Sequence, residues 1–200
     1  MLAQQVRRQT REDQILSRLD KMNYLTSKQL NKLEILAGIR NTQRILNEME
    51  RDRLLLSVRT EQKVYYLSNK GKERIGSNQA ELKKNKIVHT LMRNDLYIIL
   101  GMPSDWRNEK PIKLNGEVFL IPDATFKNKG EFHFVEIDNK QTMRTNTDKI
   151  KKYKDLSKVI FDNYNHTPTL IWYTLSDVRK KKLKEVCETL GVKFRIYGNI

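Results

Sequence analysis

Two hundred residues, 38% hydrophobic and 32% charged, form a globular chain long enough for two modest domains. The formal net charge of +15 attracts polyanions, either nucleic acid or an anionic membrane surface. No apolar run approaches the roughly 18 residues that cross a bilayer, and Arg7, Arg8, Arg11 and Arg18 leave no signal-peptide core at the start, so a cytoplasmic protein without a membrane partner is expected. The single cysteine, Cys187, has no internal disulfide partner and lies in a helix-like stretch, where it is expected to pack. Residues 1–78 hold 16 basic and 9 acidic side chains and the remainder 23 and 15, so both halves are basic and either one continuous basic face or two separate contacts is expected.

In chain order, Thr10 with Asp13 has the form of a capping box, and Ile15, Leu16, Leu19 and Met22 follow at helical spacing, which predicts a first helix of about eleven residues. Thr26 then caps a short second helix, with Gln29 reaching back and Leu25 placed to staple onto Leu30. After a break at Ala37 and Gly38, Asn41 or Thr42 opens a third helix. Its inward residues are Ile45, Leu46 and Met49, and its exposed N-terminal end carries Arg40, Asn41, Thr42, Gln43, Arg44 and Asn47. Arginine can bridge guanine O6 and N7, and asparagine or glutamine adenine N6 and N7, from one helix in the major groove. Residues 54–58 and 64–67 read as a hairpin whose tip places Arg59 and Lys63 near phosphate or minor groove, and a short closing helix runs through Ile75. This order resembles winged helix-turn-helix domains, and residues 1–77 are assigned to one.

A polar stretch at Ser77, Asn78 and Gln79 marks the expected boundary, and residues 78–200 form the second domain. Asn78 with Glu81 predicts a long helix carrying Leu82, Ile87, Val88, Leu91, Met92 and Leu96, a place for dimer contacts. Strands are predicted at 111–114, 117–122 and 131–138, with Asn128, Lys129 and Gly130 as the turn between the last two. A basic helix opens at Thr147 and Asp148 and runs through Leu156. A buried strand at 169–173, a helix from Ser176 to its stop at Gly191, and a last strand at 192–197 complete an α/β domain with a mixed sheet, making the whole chain α+β.

The chemistry-bearing residues of this half are Asp123 after Pro122, then Glu136, Asp138 and Lys140. On a strand, residues 136, 138 and 140 share one face, so they can gather beside Asp123. Such a group can hold Mg2+ through Asp123, Glu136 and Asp138 and activate water against a phosphodiester, with Lys140 stabilising charge. The alternative is that Asp123 and Asp138 simply pair with nearby lysines. Tyr153 and Lys149, four apart on a helix, are placed to line this cluster. His89, His133 and His166 lack a metal spacing, the basic run from Arg179 to Lys182 surrounds its helix rather than forming one face, and phosphate-loop, serine-hydrolase and zinc-finger patterns are absent.

The acidic residues resemble the PD-(D/E)xK nuclease-like fold, with Asp123 as first acid and either Glu136, Ile137 and Asp138 or Asp138, Asn139 and Lys140 as the second motif. In the first register Asp138 stands where the lysine belongs; in the second Lys140 restores the triad. Taken with the winged helix, the helix bearing His89, the step from Pro122 through Asp123 to Ala124, the strand from Phe134 to Asp138, and the helix with Lys149 and Tyr153, the chain resembles the replication-relaxation family. That resemblance implies a protein of bacterial plasmids, phages and other mobile elements, acting in replication, DNA relaxation or transfer, or their transcriptional control. The winged helix brings the expectation of double-stranded DNA as partner, with no cofactor for DNA binding, and of a homodimer on paired half-sites; replication or conjugation proteins are expected as further partners and the nuclease-like domain is expected to be degenerate, a magnesium-dependent nuclease or nickase being the alternative.

Overall fold

The computed structural model describes residues 2–34 and 36–198, so the outer ends of the two expected domains lie outside the described residues. The fold is α+β, and the chain divides into two compact units, Met1–Ile98 and Ile99–Ile200. No helix among the described residues is long and apolar enough to cross a membrane.

In the first unit the order is α1 (Leu2–Met22), β1 (Leu25–Thr26), α2 (Ser27–Glu34), α3 (Ile39–Arg51), β2 (Leu55–Arg59), β3 (Lys63–Leu67), α4 (Asn69–Ile75) and α5 (Lys84–Ile99). Helix α1 begins well before Thr10, whose hydroxyl donates to the Val6 carbonyl inside the helix, so the Thr10 and Asp13 pair is not its cap. The cap of α2 forms as its residue types dictate. The Thr26 hydroxyl accepts from the Gln29 N–H and the Gln29 side chain accepts from the Thr26 N–H, each at 3.1 Å. Gly38, at φ 99°, precedes α3, a backbone state open to glycine, and this moves the helix start to Ile39, ahead of the expected Asn41 or Thr42. Ile45, Leu46 and Met49 turn inward with Ile15, Leu16, Leu19 and Met22. β3 pairs antiparallel with both β1 and β2, giving a three-stranded sheet in the order β1-β3-β2. Ser68 caps α4, and a Cβ on Gly71 would lie 2.2 Å from the Leu54 carbonyl oxygen, so the helix approaches that backbone as only glycine permits.

Helix α5 belongs to this unit, which places the division after Ile98 instead of Ser77. Asn94 donates to the Met22 and Tyr24 carbonyls, Gln29 donates to the Leu91 carbonyl and to Asp95, and Ile87 and Leu91 join Tyr24 and Val64 in one apolar cluster. Residues 78–83 are not helical, and Val88 is exposed.

The second unit contains β4 (Arg107–Asn108), β5 (Ile112–Leu114), β6 (Glu117–Leu120), β7 (Ala124–Asn128), β8 (Glu131–Asp138), α6 (Met143–Tyr164), β9 (Thr169–Thr174), α7 (Asp177–Leu190) and β10 (Phe194–Tyr197). The strand from 117 stops at Leu120, and Pro122 and Asp123 lead into a separate strand, β7, in another sheet; the turn at Lys129 and Gly130 joins β7 to β8. The main sheet runs β10-β9-β8-β7-β4, parallel across β8, β9 and β10 and antiparallel elsewhere, while β5 and β6 pair apart from it. Successive crossovers step in one direction, so connections of the usual hand carry α6 and α7 to one face. Phe134, Leu170 and Trp172 from that face pack with Ile150, Tyr153, Leu156 and Ile160 of α6 and Leu183 and Cys187 of α7. Cys187 is a packing residue, with burial pushing its thiol up to about 12. Helix α6 starts at Met143, four residues before the expected Thr147, because Thr142 caps it by accepting from the Thr145 N–H.

Candidate nucleic-acid interface

On α3 the side chains divide by what they already hold. Thr42 is fully buried, accepting from Asn31 and donating to the Gly38 carbonyl, so it is withdrawn from the surface on which it was expected. Asn41 is half-buried and donates to the Leu36 carbonyl, while its Oδ1 accepts from Arg44. Arg44 is exposed and pairs with Glu48 at 2.6 Å. Arg40, Gln43 and Asn47 are exposed, and their side chains form no hydrogen bond or ion pair among the described residues. In the hairpin, Arg59 is exposed at the end of β2, and Lys63 pairs with Glu50 of α3 at 2.6 Å. Burial alone would raise the Glu50 carboxyl, but Lys63 and the Ser57 hydroxyl outweigh it and hold it below its ordinary range. This pairing fixes the hairpin against the helix. Between them opens a groove of about 360 Å³, lined by Lys28 of α2, Ile39, Gln43 and Asn47 of α3, and Gln62 and Lys63 of the hairpin. Lys28 and Gln62 had no mark in the sequence pattern, since one lies in the first turn of a short helix and the other in a polar turn.

The acidic residues of the second unit are arranged differently from a free ligand set. Glu136 and Asp138, two apart on β8, share the face covered by α6 and α7. Glu136 is fully buried; its two oxygens accept from Lys149 at 2.5 Å and from the Tyr153 hydroxyl at 2.7 Å. Burial and then the nearby charge of Asp123 push its carboxyl up to about 7, against the opposing pull of Lys149 and Tyr153. Burial beside Glu136 likewise pushes the Tyr153 hydroxyl well above its ordinary value. Asp123 precedes β7 and accepts from the Ile137 N–H at 2.7 Å, which brings it alongside Glu136. Asp138 faces Arg179, which donates through two nitrogens at 2.6 and 2.5 Å, and Asn146 at 2.8 Å. Burial raises the Asp138 carboxyl, but these donors outweigh it and hold it below the usual carboxylate range. Lys140 lies beyond the end of β8 on an exposed bend, outside the alternation that was expected to carry it to the face of Glu136. The lysine at the acid comes instead from α6, as Lys149. A cavity of about 330 Å³ opens beside Glu136, Lys149 and Tyr153.

No group of three or more His, Cys, Asp and Glu side chains among the described residues is placed to hold a metal ion. Both Glu136 oxygens are already bonded within the fold, and Asp138 is held by Arg179 and Asn146.

A two-unit α+β chain with one uncommitted polar helix face and one buried charge cluster is thereby defined. The sequence profile described as replication-relaxation matches residues 16–170, and the chain belongs to that family. Comparison with curated proteins and with solved structures gives no match.

Proposed function

We propose that the chain is a DNA-binding protein acting in replication or relaxation of a bacterial mobile element, whose first unit works as a winged helix: α3 enters the major groove and the β2–β3 hairpin is the wing. The observation that carries this reading is the exposed, uncommitted set Arg40, Gln43 and Asn47 on α3 with Arg59 on the hairpin. Side chains that hold no partner in the free protein can meet base edges and phosphates without first breaking internal bonds. The net charge of +15 supplies the sequence-independent attraction. The second unit serves as scaffold or partner surface, and a homodimer reads two half-sites. Fluorescence anisotropy on labelled duplex, repeated over a salt series, tests the proposal. Affinity that falls linearly on a log–log plot with salt is expected, and Arg40→Ala with Arg59→Ala should make the slope shallower by about two. Salt-independent binding, or an unchanged slope, would refute it.

A second reading, cleavage of DNA, is favoured by one observation, the grouping of Asp123, Glu136 and Lys149. Supercoiled plasmid incubated with the protein in magnesium or manganese distinguishes the two. Nicked or linear product that disappears in Asp123→Ala establishes cleavage; intact plasmid removes it.

A further inference from the structure

Helix α3 presents Ile39, Gln43 and Asn47 at successive positions four apart, which puts them on one stripe of the helix, and all three line the groove between α3 and the hairpin. Ile39 is 40% exposed at the start of α3, so its aliphatic side chain faces the groove available for an apolar contact. The side chains of Gln43 and Asn47 hold no hydrogen bond among the described residues. Arg44, the residue best suited to guanine, is by contrast tied to Asn41 and Glu48.

Resting on the DNA-binding reading above, we propose that the stripe Ile39, Gln43 and Asn47 makes this a reader of A·T pairs in the major groove. A carboxamide matches adenine N6 and N7 with one donor and one acceptor, and an exposed aliphatic side chain matches the C5-methyl of thymine. Four residues of helix, about 6 Å of rise, separate Gln43 from Asn47, which corresponds to bases about two steps apart on DNA rising about 3.4 Å per step. Lys28 of α2, exposed in the lining of the same groove and with no side-chain partner among the described residues, meets the flanking phosphate. The target class is therefore duplex DNA with a short A·T-rich core.

The test is selection of bound fragments from random duplex by the full chain at near-physiological salt, followed by affinity measurements on the enriched site. An A·T block is expected. Asn47→Ala and Gln43→Ala should each weaken that site by roughly five- to 150-fold while leaving binding to random duplex unchanged. Replacing thymine by uracil removes the methyl group alone; it should weaken wild type about three- to fourfold and leave Ile39→Ala unaffected. Because the uracil substitution alters only the DNA, it remains informative if a protein variant folds poorly. Enrichment of a G·C core, or equal losses on enriched and random duplex, overturns the assignment while the DNA-binding reading stands. Failure to bind any duplex even at low salt overturns both.

Discussion

The face of α3 and the cluster around Glu136 carry similar residue types and use them in opposite ways. On α3, Arg40, Gln43 and Asn47 have no internal partner among the described residues, whereas in the second unit Glu136 is bonded to Lys149 and Tyr153, and Asp138 to Arg179 and Asn146. Polar groups that are exposed and uncommitted cost the fold little and remain available to a partner. Polar groups that are buried must be satisfied, and once satisfied they hold elements together. Asp138 with Arg179 fastens the end of β8 to the start of α7, and Glu136 fastens the same strand to α6.

The largest expected effect therefore lies in the second unit. Arg179→Ala leaves Asp138 buried with only the neutral donors Asn146 and Thr174, and a loss of about 3–5 kcal/mol is expected in denaturant unfolding. A loss below about 1 kcal/mol would place the Asp138 pair among ordinary surface salt bridges.

Glu136 supplies a pH dependence of its own. Its carboxyl lies at about 7 in the fold against an ordinary 4.5, so the folded chain binds more protons than the unfolded one between those values. Its contribution to stability is accordingly full below about pH 4.5 and is lost as pH rises toward 7, by up to about 3 kcal/mol. Unfolding measured from pH 4.5 to 8 should show Glu136→Gln with a flatter profile than wild type; an identical profile would mean that Glu136 is charged throughout.

In the first unit the largest backbone effect is expected at Gly71, where a Cβ meets the Leu54 carbonyl oxygen. Gly71→Ala should cost roughly 1–3 kcal/mol by overpacking, read by thermal or denaturant unfolding. The smallest effect on stability is expected on the uncommitted surface. Arg59→Ala should leave unfolding within about 0.5 kcal/mol of wild type and reduce the salt slope of duplex binding by about one. A large loss of stability there would erase the contrast between the two regions.

What was legible in the sequence follows the same physical divide. The Thr26 and Gln29 cap, the inward face of α3, the β2–β3 hairpin and the stop at Gly191 rest on local signals, residues a few positions apart or two short apolar runs around a polar turn, and each formed, the hairpin strands shifting by one residue. The start of α1 was misplaced because Thr10 and Asp13 imitate a cap in a helix already under way. Strand β7 was missed because residues 117–122 read as one apolar run, and only the fold shows that Pro122 and Asp123 carry the chain into another sheet. The division after Ile98 depends on Asn94 and Gln29 reaching carbonyls far away in sequence. In the candidate site the acids were visible, as were Lys149 and Tyr153 as a helical pair. Their bonds to Glu136 cross 13 and 17 residues, and the Arg179 bond to Asp138 crosses 41, so periodicity carries no trace of them.

Amide hydrogen exchange on the full chain, with and without saturating duplex DNA, tests the central claim most directly. Binding through α3 and the hairpin should slow exchange in Ile39–Arg51 and around the turn between Arg59 and Lys63. Slowing confined to α6 and α7, with α3 unchanged, would contradict it.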